Sequence, residues 1–372
     1  MKNKIALFTW CYTNGPVNYG QILQCYSLQR VCTELGYEVN VLKYRKLQNN
    51  KNIDDIPYKG AGRDAYEYEF KNKNIQSQLS KQVIRVNEFI NENVKMTKQC
   101  YCIEDVLEEI DDSDILIVGS DQLWNPQWLD TIYLLPFKED KKRISYATSG
   151  IFFDDEQAKG IADMIKHFDY LSVREPISKI ILNRYIERDI FCALDPVFLL
   201  DSKNWDEIGG KEICDEAYVF AFFIGLIEPQ KHLIRQVAQK YDVNKVIYIK
   251  MAASEEIFND LSIMEGIEDA GPKEFISLIK HAVAVCTDSY HAFVLSVIYH
   301  KNFHLMNRAY VPLNEVSNER WDSVMRKLGI ENRYSNSRSE IMNLSQIDYE
   351  KVENQLNYLR EESREWLIKA LG

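Results

Sequence analysis

IALFTWCYTNGPVNYGQILQCYSLQRVCTELGYEVNVLKY, residues 5–44, reads as a strand, a loop, a helix and a second strand. IALFTW (5–10) is a short apolar run. GQILQCYSLQRVCTEL (20–35) carries apolar residues at three- and four-residue steps and stops at Gly36, a residue that adopts the left-handed turn closing a helix at little cost. YEVNVLKY (37–44) alternates as a half-buried strand does. A strand joined through a helix to another strand is the unit of a parallel sheet, and the rest of the chain repeats it.

Outward from this unit, residues 45–80 turn polar and rich in Asn, Lys and Tyr, which reads as an exposed insertion. Helices over Lys81–Asn93 and Ile103–Ile110 lead to DILIVGSD (114–121), a buried strand ending in Gly-Ser-Asp. ISYAT, YLSVRE and IFCALD supply three more strands, with helices near 155–168 and 176–187. DSKNWDEIGGKEICDEA (201–217) is the expected linker. A second alternating set follows: YVFAFFIG, a helix near 229–241, KVIYIK, a helix opened by Gly271-Pro272, VAVCTD, a helix from Ser289–His291, and FHLM. Tyr349, Val352, Leu356, Leu359, Trp366 and Ala370 recur at helical steps, which predicts one long C-terminal helix closed by Gly372. The fold class is therefore α/β, with two doubly wound Rossmann-like domains facing a cleft. The expected division is 1–200, 217–345 and a helix over 346–372; its 372 residues suit two domains at roughly 150 each.

Composition narrows the function. Apolar residues make up 46% of the chain, too many for a disordered protein. Its net charge of −11, without a basic block, argues against coating nucleic acid or an anionic membrane. The longest apolar stretch, Tyr218–Ile227, is about half of what a bilayer core requires, so no membrane span is expected. The short apolar start without a small-residue cleavage site does not read as a secretory signal. Eight cysteines without a CxxC pair need no disulfides and fit a reducing cytoplasm. His300 and His304 are four apart where a helix runs into a strand, a packing pattern rather than a metal site, so no metal is implied.

In such sheets ligands bind beyond the carboxyl ends of strands, where helix N-termini offer free N–H groups. Four strand ends carry chemistry. Asn18 and Gly20 enter the first helix; they read either as an N-cap and turn or as a close approach to a ligand. Asp121 stands beside Trp124 and Trp128, either a cap over core tryptophans or a carboxylate and aromatic face for a sugar. Arg174 follows a strand directly, either in a salt bridge or as a fork for a carboxylate or phosphate. Ser289 and His291 open the apolar helix after Thr287-Asp288, a placement suited to binding a phosphate and donating a proton to it.

At these residues the chain resembles the polysaccharide pyruvyl transferase family. The matching landmarks are NYGQILQCYSLQRVCTELGYEV, DILIVGSDQLWNP, ISYATSG, LSVREPIS, LDPVFLL and EFISLIKHAVAVCTDSYHAFVLSVIYHKNF, in order over about residues 5–306. The resemblance implies a fold like that of two-domain GT-B glycosyltransferases. It also implies a transfer from phosphoenolpyruvate that sets a pyruvate ketal across two hydroxyls of a surface-polysaccharide sugar. His291, Arg174, Asp121, Asn18 and Gly20 match the family's motif positions, and Arg320 in SNERWDS matches more loosely. Ala292 departs from the glycine usual after the histidine.

On this resemblance His291 and Asp121 are the expected catalytic pair, with Arg174, Arg320, Ser289, Asn18, Gly20 and Trp124 binding substrate. The first domain is the expected acceptor side, and the second is the donor-phosphate side. Phosphoenolpyruvate is a co-substrate, no cofactor is implied, and the other partner is a glycan or lipid-linked saccharide. The expected location is the cytoplasm, reaching the inner face of the membrane through the substrate, with room for a homo-oligomer. Two rivals stay open: a glycosyltransferase using a nucleotide sugar, and a non-catalytic glycan-binding relative.

Overall fold

β1 (Lys4–Phe8), α1 (Tyr19–Glu34) and β2 (Glu38–Tyr44) form the opening unit, with β1 and β2 parallel. They belong to a computed structural model that describes residues 3–11, 17–44, 73–127, 129–137, 140–150, 152, 154–225, 227, 230–251, 263–308 and 315–372. Most of the expected insertion, residues 45–72, lies outside that description. The chain continues through α2 (Lys73–Asn93), β3 (Met96–Cys100), α3 (Ile103–Ile110), β4 (Ile115–Val118), β5 (Lys142–Thr148), α4 (Asp155–Ile165), β6 (Tyr170–Val173), α5 (Pro176–Leu182) and β7 (Phe191–Cys192). These strands make one parallel sheet in the order β3-β2-β1-β4-β5-β6-β7.

After α6 (Ser202–Asp206) comes the second set: β8 (Val219–Phe222), α7 (Lys231–Lys240), β9 (Val246–Ile249), β10 (Met264–Ile267), α8 (Pro272–His281), β11 (Ala284–Thr287), α9 (Tyr290–Ile298) and β12 (Asn302–Leu305). Its parallel sheet runs β10-β9-β8-β11-β12. α10 (Glu315–Leu328), α11 (Arg338–Asn343) and α12 (Tyr349–Leu371) complete the chain. In both sheets the order reverses beside the first strand, between β1 and β4 and between β8 and β11. Those reversals are the crevices where doubly wound sheets bind ligands.

Central strands β4, β8 and β11 are buried at every residue, as covered parallel strands must be. The two sheets share an apolar core: Tyr19 of α1 stacks on Phe275 of α8 with centroids 5.0 Å apart, and its hydroxyl donates to Ala270 O at 2.7 Å. α12 starts beside the second sheet, where Tyr349 stacks on His300 at 4.7 Å. It ends against the first, where Trp366 stacks on Phe191 at 5.4 Å and Arg360 Nε donates to Phe198 O at 2.6 Å. The helix ties the two lobes together.

Several expectations need correction. α2 begins at Lys73, eight residues before the predicted Lys81. β3 and β10 lie at sheet edges, where MTKQC and MEGI are only half-buried, so their sequences lack the apolar signal of the inner strands. The expected linker contains α6, whose Trp205 is fully buried and donates from Nε1 to Val197 O at 3.3 Å. Every cysteine is a free thiol. Among the described residues, no helix is long and apolar enough to cross a membrane.

Candidate active site

The first lobe contributes three strand ends. Beyond β4, Asp121 takes a left-handed backbone, φ 78°, and its Oδ1 accepts from its neighbour's N–H (Gln122) at 2.8 Å. Side chains other than glycine rarely hold that conformation without a local reason. Beyond β5, Ser149 donates its N–H to Asp121 O at 2.9 Å and its hydroxyl to Glu175 Oε1 at 2.8 Å. Beyond β6, Arg174 donates from Nε to Glu175 Oε1 at 2.8 Å and from Nη1 to Asp195 Oδ2 at 2.9 Å. Asp195 also accepts from Ser120 Oγ at 3.1 Å and from the Val197 N–H at 3.0 Å.

From the second lobe, β11 ends in Asp288, which accepts from the N–H groups of Ile224 (2.7 Å) and Gly225 (2.9 Å) and from Arg308 Nε (2.9 Å). One carboxylate thus joins the β8 and β11 ends across the crevice. Ser289 occupies the N-cap position of α9 without a side-chain capping bond, and the first intrahelical bond is Phe293 N–H to Ser289 O. The earlier N–H groups of that turn are left for a ligand, and the helix dipole favours an anion there.

The lobes meet at His291. Its Nε2 lies 3.5 Å from Asp195 Oδ2, beyond hydrogen-bond geometry. Its ring rests against Gly20 of α1 so closely that a Cβ there would stand 2.0 Å from Nδ1. Arg174 Cζ lies 4.5 Å from the centre of the Tyr290 ring, a cation–π contact from one lobe to the other. Arg320 on α10 lies 4.3 Å over the Trp321 ring, and its buried Nε has no partner.

Charge is concentrated here. Burial raises the carboxyl of Asp195, yet His291 and Arg174 outweigh it and hold the group well below the usual carboxylate range. Burial alone lowers Arg174, and Glu175, Tyr290, Asp195 and Asp121 together more than reverse that. Arg320 is pushed down to about 10, first by burial and then by Arg308 and Arg174, with Glu175 and Asp288 opposing. A bound anion would relieve that repulsion.

Arg174 compensates two carboxylates whose side chains are 4% and 0% exposed, so Arg174→Met should destabilise the fold by about 3–5 kcal/mol. Denaturant titration checks this. A loss under about 1 kcal/mol would mean that the carboxylates are satisfied without the arginine.

His291, Arg174, Gly20 and Asp121 therefore converge on one place, with Ser289 at the mouth of α9 and Arg320 close enough to shift in response to Arg174 and Glu175. Trp124 does not join them, which corrects the expectation of a sugar-stacking ring. It is fully buried, edge-on to Phe168 at 6.1 Å, with Nε1 donating to Tyr133 O at 3.0 Å. Asn18 is an exposed N-cap whose Oδ1 accepts from the Gln21 N–H at 3.4 Å, the plainer of its two readings. Trp128 and the Asn14-Gly15 turn lie outside the described residues.

Ala292 is fully buried, its methyl part of the core shared by the lobes. His300 and His304 diverge. The first is exposed and pairs with Glu353 at 3.0 Å; the second is buried against Ser335 Oγ at 2.8 Å. Asp195, Glu175, Tyr290, Asp288 and Arg308 were missed as site residues. Each follows a strand within a few residues, and that position was the available signal.

A family model described as polysaccharide pyruvyl transferase matches residues 18–310. No curated protein matches. Among solved structures, the UDP-GlcNAc 2-epimerase from Neisseria meningitidis bound to UDP-GlcNAc is similar, with a TM-score of 0.53 at 11% identity, covering 100% of this chain and 99% of that one. The UDP-GlcNAc 2-epimerase from Methanocaldococcus jannaschii gives 0.52 at 14% identity, covering 96% and 100%. Arabidopsis thaliana UGT89C1 gives 0.50 at 11%, covering 98% and 94%. At such identities the likeness shows the fold alone, a two-domain GT-B-like arrangement.

Proposed function

The chain belongs to the polysaccharide pyruvyl transferase family, and we propose that it moves a pyruvyl group from phosphoenolpyruvate onto two hydroxyls of a surface-polysaccharide sugar to form a ketal. The observation that carries this reading is a set of buried polar atoms left without partners, Asp121 Oδ2 and Glu175 Oε2 at strand ends, Tyr290 OH and His291 Nε2 at the start of α9, and Arg320 Nε on α10. Native interiors pair nearly all such atoms, so a group of them around one crevice supports a site that a ligand or water fills. The set includes acceptors and donors, as a reaction between an anion and a polyol requires.

Phosphoenolpyruvate brings a carboxylate and a phosphate. Arg174, Arg320 and the open turn of α9 are the donors suited to them. The second lobe then holds the donor phosphate, and the first lobe, through Asp121, the sugar. His291 delivers a proton, to the methylene carbon or to the departing phosphate. Protonation makes the neighbouring carbon electrophilic, one hydroxyl adds, phosphate leaves with its bonding pair, and a second hydroxyl closes the ketal. A lipid-linked acceptor would bring this chemistry to the inner face of the membrane.

Inorganic phosphate should be released from phosphoenolpyruvate when a panel of glycans, including lipid-linked ones, is supplied. Phosphoenolpyruvate at about 100 times its Kd should also stabilise the fold by about 2.7 kcal/mol, read as a rise in Tm. Release of a nucleotide from nucleotide sugars, with phosphoenolpyruvate inert in both assays, would replace this reading with glycosyl transfer.

A further inference from the structure

We infer that Glu175 is the second carboxylate of a diol-binding site, paired with Asp121 so that each hydroxyl bridged by the ketal meets one free carboxylate oxygen. This rests on the transfer reaction proposed above. Glu175 is 3% exposed and Asp121 8%, and each has one oxygen engaged and one unpartnered. Glu175 Oε1 is held by Arg174 Nε and Ser149 Oγ, both at 2.8 Å, so the carboxylate cannot turn to satisfy Oε2 without breaking those bonds. Asp121 Oδ1 is held by the Gln122 N–H at 2.8 Å.

Ser149 ties the two acids together, through its N–H to Asp121 O and its hydroxyl to Glu175. They stand beyond β4 and β6, with β5 between them, and the charge of each reaches Arg174. The chemistry of the donor excludes it as their partner. Ionised phosphoenolpyruvate has no hydrogen to offer a carboxylate oxygen, whereas a sugar has hydroxyls. A single free oxygen would suit one hydroxyl; two free oxygens at the strand ends flanking β5, tied together through Ser149, suit a pair.

The proton balance agrees. Two hydroxyls give up protons as two C–O bonds form to the same carbon. One proton equivalent ends on the methylene carbon, which becomes a methyl group. The other ends on the released phosphate as the enol C–O bond breaks. Glu175 and Asp121 take the hydroxyl protons and return them to this cycle, in which His291 is the donor, so every group finishes as it began.

Glu175→Gln tests this, because its amide oxygen can still accept from Arg174 and Ser149 while a donor replaces the free oxygen. Asp121→Asn serves as a second variant should the first fail to fold. Saturation-transfer NMR would compare methyl glycosides carrying vicinal or 1,3-related hydroxyl pairs with their mono-O-methyl ethers, on the full chain. Wild type should prefer the free diols by about 10- to 100-fold, and either variant should lose that preference while still binding phosphoenolpyruvate. A wild type without such preference, or variants that keep it, would overturn the inference. A preference that depends on Glu175 in a protein releasing no phosphate from phosphoenolpyruvate would uphold the diol site and remove only the donor.

Discussion

Under the transfer proposed above, His291→Ala should lower kcat for phosphate release from phosphoenolpyruvate by about 100- to 10,000-fold, the usual contribution of one general acid–base group. The fold should survive. Asp195, the carboxylate nearest the ring, keeps Arg174, Ser120 and the Val197 N–H as donors when the imidazole is gone, so no buried charge is stranded. Nε2 stands 3.5 Å from Asp195 Oδ2, a long contact whose loss costs the fold little beside the three donors that remain. The loss should therefore appear in kcat, with unchanged circular dichroism and a melting temperature close to wild type. Turnover at the wild-type rate would remove His291 from the chemistry. An unfolded variant would instead show that the imidazole props the two lobes apart.

The fold was legible where burial imposes a pattern. β4, β8 and β11 are inner strands with continuous apolar runs, and α1, α3 and α12 carry apolar residues at helical steps. It was illegible where exposure removes the pattern, as in β3 with its Thr, Lys and Gln and β10 with Glu265 and Gly266. α10, which carries Arg320, is absent from the expected elements although Trp321, Val324, Met325 and Leu328 recur at helical steps and are buried, so its signal was present in the sequence.

The site followed the same division. Arg174 was legible because it immediately follows a buried strand, and His291 because it sits in the first turn of an apolar helix that opens just beyond another. Asp195 and Glu175 were not, because their importance comes from what they touch: one Arg174 guanidinium, and a histidine contributed by the other lobe. Trp124 shows the converse failure. An aromatic residue near a strand end has the same sequence signature whether it stacks on a sugar or fills the space beside Phe168.

Gly20→Ala should cripple the enzyme through contact rather than through backbone freedom. Gly20 sits in the first turn of α1, where alanine is ordinarily the better residue by up to about 1 kcal/mol. Its Cβ, however, would lie 2.0 Å from His291 Nδ1 and 2.6 Å from Cγ, inside the ring's own volume. The imidazole must swing away from Asp195, or α1 and α9 must part. Overpacking of this kind costs about 1–3 kcal/mol, and a misplaced catalytic group costs about 100-fold in rate. The double variant Gly20→Ala/His291→Ala separates the explanations. With the ring removed the three nearest atoms the methyl would meet are gone, so the second alanine should be neutral or stabilising, and the sign of its effect on Tm should reverse. That reversal is a coupling between the two positions, in the range expected for residues in contact. If Gly20→Ala destabilises equally in both backgrounds, the glycine is required by α1 itself, and the tight seat of His291 between the lobes is not what it provides.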